Sequence, residues 1–168
     1  DLYAEFGRID GVIHGAGIIE DKLLVDKSPD SFARVVATKA DSVFLLSRHL
    51  RPQSLKFLVL FSSVAGRFGN PGQCDYTAAN EIVNKMARFL DARWPCRVVS
   101  VNWGPWAREG MVSPALERQF AERGVRLIDP EQGVAALLAE IAGGGRGEVE
   151  VILGDGPWGA VEEEACAR

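Results

Sequence analysis

Short β-branched runs alternate with helix-length amphipathic stretches along this chain, and that alternation admits few folds. A strand of four to eight apolar residues is buried on both faces, and an intervening stretch of ten or more residues at helical period can cross over it, so the pattern calls for a parallel sheet wrapped by helices. Strands are expected near 11–16, 56–62, 97–102 and 148–153. Helices are expected near 29–50, 75–93, 113–123 and 130–142. Ser28-Pro29 and Asp129-Pro130 supply a cap and a first-turn proline for two of these helices, and Gly143-Gly144-Gly145 stops the last. The fold class expected is α/β, a doubly wound, Rossmann-like parallel sheet over 1–155, with 156–168 as tail or linker.

Composition narrows the function classes. With 168 residues, 47% of them hydrophobic, the chain can bury a sizeable core. Its net charge of -4, with no dense run of Lys or Arg, argues against nucleic acid as a partner. The longest obvious apolar run, Phe57 to Phe61, suits a strand and falls far short of a membrane span, which needs ~20 residues. Three scattered cysteines fit a reducing, cytoplasmic setting better than a disulfide framework, and two distant histidines, His14 and His49, give no local metal site. The start, Asp1-Leu2-Tyr3, has neither an initiator Met nor a secretory signal and reads as an excised piece.

In an open parallel sheet the ligand sits beyond the carboxyl ends of the strands. Three expected strand ends carry Gly15-Ala16-Gly17, Ser62-Ser63 and Trp103-Gly104-Pro105, all small or hydroxylated at the edge of one crevice. Tyr76 and Asn80, four residues apart, share a helix side, and the glycine-rich stretch 66–72 is read as a loop returning the chain so that Ser63 meets Tyr76. Upstream, Lys39 interrupts the apolar stripe Phe32, Val35, Val36, Val43, Leu46, Leu50. A lysine on such a stripe is either snorkelling or serving a crevice. In the second case its charge would help a phenol of reference pKa ~10 to exchange a proton near neutrality, with Asn80 available to orient it. Taken singly, Ser63 reads first as a strand-end hydroxyl on a backbone group, Tyr76 equally as a packed aromatic, and Lys39 and Asn80 first as ordinary helix residues.

Taken in order, His14-Gly15-Ala16-Gly17-Ile18-Ile19-Glu20-Asp21, Phe61-Ser62-Ser63-Val64-Ala65-Gly66, Tyr76-Thr77-Ala78-Ala79-Asn80 and Asn102-Trp103-Gly104-Pro105-Trp106 resemble the carboxyl-terminal two-thirds of a polyketide-synthase ketoreductase domain, of the short-chain dehydrogenase/reductase superfamily. The resemblance covers about residues 6–158. It implies that Ser63, Tyr76, Lys39 and Asn80 form the catalytic tetrad, in the arrangement where lysine and asparagine have exchanged places relative to most of the superfamily. It further implies NADPH as cofactor, lying along Gly15, Ala16 and Gly17, with Lys39 and Tyr76 at the nicotinamide ribose and Gly104 and Pro105 near the nicotinamide. The implied substrate is a β-ketoacyl thioester on an acyl carrier protein, covered by a lid from Trp106 through Met111 hinged at Gly110. Asp21 stands where one stereochemical class ends a Leu-Asp-Asp motif, and Leu60 stands in place of the tryptophan of the opposite class, which implies a D-hydroxyl product.

Two other readings stay open. The parent could be a free-standing 3-oxoacyl reductase, or the fold could be a noncatalytic carrier-docking module using Arg118, Arg123 and Arg126. The resemblance also implies a missing amino-terminal half, with the glycine-rich turn that cradles a pyrophosphate at a helix start. The chain alone is accordingly expected to bind NADPH weakly; a fluorescence titration giving micromolar affinity would contradict this.

Overall fold

In the computed structural model, which describes residues 1–107 and 114–158, the four strands form one all-parallel sheet in the order β1-β2-β3-β4. They are β1 (Gly11–His14), β2 (Phe57–Ser63), β3 (Arg97–Trp103) and β4 (Glu150–Leu153). Between them lie α2 (Pro29–His49), α3 (Val64–Phe68) with α4 (Cys74–Asp91), and α5 (Pro114–Glu122) with α6 (Pro130–Gly143); a short α1 (Leu2–Phe6) precedes β1. Each strand lies beside its successor because a right-handed helical crossover returns the chain to the same end of the sheet.

Alternation along the strands divides the core into two layers. Leu58, Leu60 and Val98 face α2 and α4, where they pack with Val43, Val83, Ala87 and Leu90. Val59, Val99, Val101 and Trp103 face the other way, packed against Leu137 and Ile141 of α6. That second layer thins toward β1, which pairs with β2 alone; Ile13 on this edge strand is 50% exposed. No helix among the described residues is long and apolar enough to cross a membrane.

Element types match expectation, while several boundaries and one connection differ. β1 ends at His14, so Gly15 and Ala16 leave the strand, and β4 starts at Glu150 rather than 148. The expected loop after Ser63 opens with helix α3 instead. The Ser63 hydroxyl caps it by accepting from the Ala65 amide at 3.2 Å, and Gly69 ends it with φ 75°. A glycine sits inside this helix because α3 lies directly on α4: a Cβ on Gly66 would fall 2.7 Å from Asn80 Cβ. Met111, Gly110 and Ser113 lie outside the described residues.

Gly66→Ala is expected to force α3 off α4 and lower stability by about 1–3 kcal/mol, as overpacking does. Urea unfolding of the variant beside the parent chain, with the midpoint read at constant slope, checks this.

Candidate active site

Lys39 is 5% exposed, on the α2 face that also buries Val35 and Val43. Its Nζ donates to the Phe61 carbonyl at 2.7 Å, near the carboxyl end of β2. That is its one hydrogen-bond partner among the described residues, which leaves two ammonium donors for a ligand. Burial lowers its pKa to about 8. Gly17 makes the lysine's path possible, since a Cβ there would stand 3.2 Å from Lys39 Cε and 3.4 Å from Nζ. His14, buried at the end of β1, shares a 3.0 Å hydrogen bond with Ser42 Oγ; burial first, and the Lys39 charge second, lower its pKa and keep it neutral.

Tyr76 lies half-buried in the first turn of α4. Burial raises its pKa; the neighbouring Ser63 and Asn80 side chains pull it back, and the Asp21 carboxylate pushes it up again. The side chains that shift it come from β2, α4 and the loop after β1. Asn80 is fully buried, donates from Nδ2 to the Tyr76 carbonyl at 2.8 Å, and keeps a buried Oδ1 with no partner. Sequence reasoning had Asn80 orienting Lys39; here its amide group holds the backbone of Tyr76, and Lys39 binds Phe61 instead. Behind Asn80, Ser100 donates to Asn84 at 2.7 Å and Asn84 to Asn102 at 3.1 Å, an amide ladder between α4 and β3.

The remaining expected residues divide. Asp21 reaches the site, held by Gln73 Nε2 at 2.8 Å, with Gln73 in turn fixed by Asn70 at 2.9 Å. Gly15 and Ala16 are exposed small residues just past the carboxyl end of β1. Gly104 is buried against Gly154, where a Cβ would lie 3.2 Å from its Cα, so its bareness already serves the approach of the loop after β4. Pro105 accepts from the Ile128 amide at 2.7 Å. Leu60 does not line the crevice: its side chain points to the opposite face of the sheet from Ser63 and is fully buried in the core. Trp106 is packed rather than open, tilted on Trp103 at 4.8 Å between centroids and filling the space a Cβ on Gly133 would need. Arg118 and Arg123 are exposed, while Arg126 is ion-paired with Asp155.

Sequence reading missed the Lys27–Asp75 ion pair, 2.6 Å long with both side chains 1% exposed. Asp75 precedes Tyr76 in sequence, so an acid at a buried first-turn position was the available signal. It also missed Gln73 and the stacking of Phe68 on Trp158, 6.4 Å apart, because those partners are far away in the chain.

An all-parallel sheet flanked by helices, with Ser63 ending β2, Tyr76 and Asn80 on α4 and a buried Lys39 on α2, is the architecture of a short-chain-reductase type of oxidoreductase. The chain belongs to the KR domain family, whose sequence profile matches residues 1–108. It is 40% identical over 149 residues to a polyunsaturated fatty acid synthase polypeptide of Thraustochytrium sp., covering 89% of this chain and 5% of that protein. PlmKR1, the ketoreductase from the first module of phoslactomycin biosynthesis in a Streptomyces, superposes with TM-score 0.84 at 31% identity, over 94% of this chain and 36% of that one. A short-chain dehydrogenase from Streptomyces avermitilis, at 18% identity, shares the fold alone, with TM-score 0.79 over 99% of this chain and 68% of that one. The chain thus spans a small fraction of the length of its curated relatives.

The Lys39 pKa fixes the sign of a pH effect. Depressed from 10.5 to about 8, the group binds its proton less tightly when folded, so the burial penalty is fully present below about pH 8 and is relieved as pH rises toward 10.5. Tyr76, shifted upward from 10.0, acts oppositely but only above that value. Between pH 7 and 9.5 the chain should gain up to about 2 kcal/mol, and Lys39→Met should abolish the gain while being the more stable form at pH 7. Urea midpoints at the two pH values decide.

Proposed function

We propose that the complete domain reduces the β-ketone of an acyl thioester, carried on an acyl carrier protein, to a D-hydroxyl group, with NADPH as reductant. The observation that carries this reading is that the side chains acting on the Tyr76 phenol come from Ser63, Asn80 and Asp21, while the buried Lys39 ammonium is bonded to the Phe61 carbonyl of the strand that ends in Ser63. The residues present fit a nicotinamide cofactor at its ribose end: Gly17 is bare next to the Lys39 ammonium, and Gly15 and Ala16 expose a small-residue edge. Gly15, Ala16, Gly17, Lys39 and Tyr76 would hold that end, and Gly104 and Pro105 would border the ring. When bound, NADPH supplies the hydride.

The chain's own residues handle the oxygen. Ser63 Oγ already accepts from the Ala65 amide, so its own proton is free to point at a substrate carbonyl, and Tyr76 donates a second hydrogen bond to the same oxygen. As charge develops there, Tyr76 gives up its proton. The ammonium of Lys39 would favour the phenolate that remains once cofactor and substrate bring the two together, and the unpartnered Asn80 Oδ1 can accept from a water that restores the proton. Asp21, on the loop facing Tyr76, supports the D-hydroxyl assignment through its position rather than through contact with substrate.

The setting follows from relatives such as polyketide synthase PksN of Bacillus subtilis, of which this chain covers 2%. A synthase module would present the substrate on a carrier protein in the cytoplasm, and an amino-terminal half-domain would cover the β1 edge and supply the pyrophosphate cradle. Tyr76→Phe in the complete domain should lower ketone reduction by about 10²–10⁴-fold while NADPH binding persists. Single-turnover reduction together with a nucleotide titration measures both, and a fully active variant would end the assignment.

A further inference from the structure

The loop 20–27 is fastened to both helices of the site. On the α2 side, the Glu20 carboxylate accepts from Ser31 Oγ and from Arg34 Nε and Nη2, the latter two at 3.1 and 2.9 Å. On the α4 side, Asp21 accepts from Gln73 at 2.8 Å and the Lys22 amide donates to the Gly72 carbonyl at 2.9 Å. Lys27 ties the two sides together, donating to the Glu20 carbonyl and to Asp75 Oδ2, while Asp75 Oδ1 accepts from the Tyr76 amide at 2.9 Å. A continuous polar path therefore runs from α2 through Glu20, Lys27 and Asp75 to the backbone of Tyr76.

Apolar burial does not hold this loop in place: Leu23, Leu24 and Val25 are all exposed. Its position depends on polar contacts, and the most enclosed of them is the Lys27–Asp75 pair. A buried charge that loses its partner is strongly unfavourable, so neither group can leave without the other. Charge-assisted bonds are also directional, unlike apolar packing.

We propose that loop 20–27 is a brace setting the spacing between α2, which carries Lys39, and α4, which carries Tyr76, with Lys27 and Asp75 as its positioning residues. The catalytic half of this inference rests on the ketone reduction proposed above. The mechanical half does not. A pair that served stability alone could be replaced by apolar side chains of similar volume without harm. A brace could not, because methionine and leucine reproduce neither the bond to the Glu20 carbonyl nor the one to the Tyr76 amide.

The test uses the full-length parent enzyme with Lys27→Met/Asp75→Leu, and Asp75→Asn as the second variant. Reduction of a β-ketoacyl N-acetylcysteamine thioester should lose at least about tenfold in kcat with KM shifted by less than about threefold, and the ratio of hydroxyl epimers should move toward unity. Amide hydrogen exchange, measured without substrate, should quicken in 20–27 and 74–77 together and stay unchanged in α6. Lys27→Arg, which keeps the charge and donors, should recover most of the rate. Wild-type kcat and epimer ratio in both variants, or unchanged exchange in the loop, would overturn the proposal. A wild-type enzyme that reduces no ketone would instead remove the proposed function, and the exchange measurement would then decide the brace by itself.

Discussion

Everything at the site depends on the parallel pairing of β1, β2 and β3. Because all strands run one way, their carboxyl ends share one edge, with Ser63 opposite Trp103 across one pair and His14 opposite Leu60 across the other. A slip of one residue would turn Ser63 toward the α2 and α4 face and Leu60 toward the α6 face, and the two core clusters on opposite faces forbid that slip. The register is thus set by apolar burial, and the carboxyl-end edge inherits it.

Polar groups are then set into this apolar frame at a few places, each with a distinct reason. Lys39 is enclosed with one carbonyl partner and carries a depressed pKa as the sign of that enclosure. Asn84 donates to Asn102 and accepts from Ser100, while Asn102 Nδ2 stays buried without a partner among the described residues. Asn80 likewise keeps an unpartnered acceptor, a fully buried, half-satisfied amide one helical turn from Tyr76.

Much of this was legible in the chain. The helix α2 starts where Ser28-Pro29 required and carries Lys39 inward as its stripe implied, and Tyr76 and Asn80 share a face at one-turn spacing. What was not legible has a common cause. Helix α3 formed in a stretch read as loop because Ser63 caps it and the Gly66 Cα gains contact with Asn80, fourteen residues on. Leu60 carries the right spacing from Ser63 yet faces the other side of the sheet, since residues three apart on a strand point oppositely. Trp106 reads as a lid residue in sequence but spends its surface on Trp103 and on the space above Gly133.

By itself, the order of residues determined the four strands and the principal helices, the all-parallel architecture and the identities of the groups able to do carbonyl chemistry, because periodicity, caps and side-chain chemistry are local properties. Only tertiary structure decided which of those groups meet. The partners of Lys27, Asp21 and Lys39 are Asp75, Gln73 and Phe61, drawn from other elements of the fold, and no local rule selects among the residues that could have satisfied each of them.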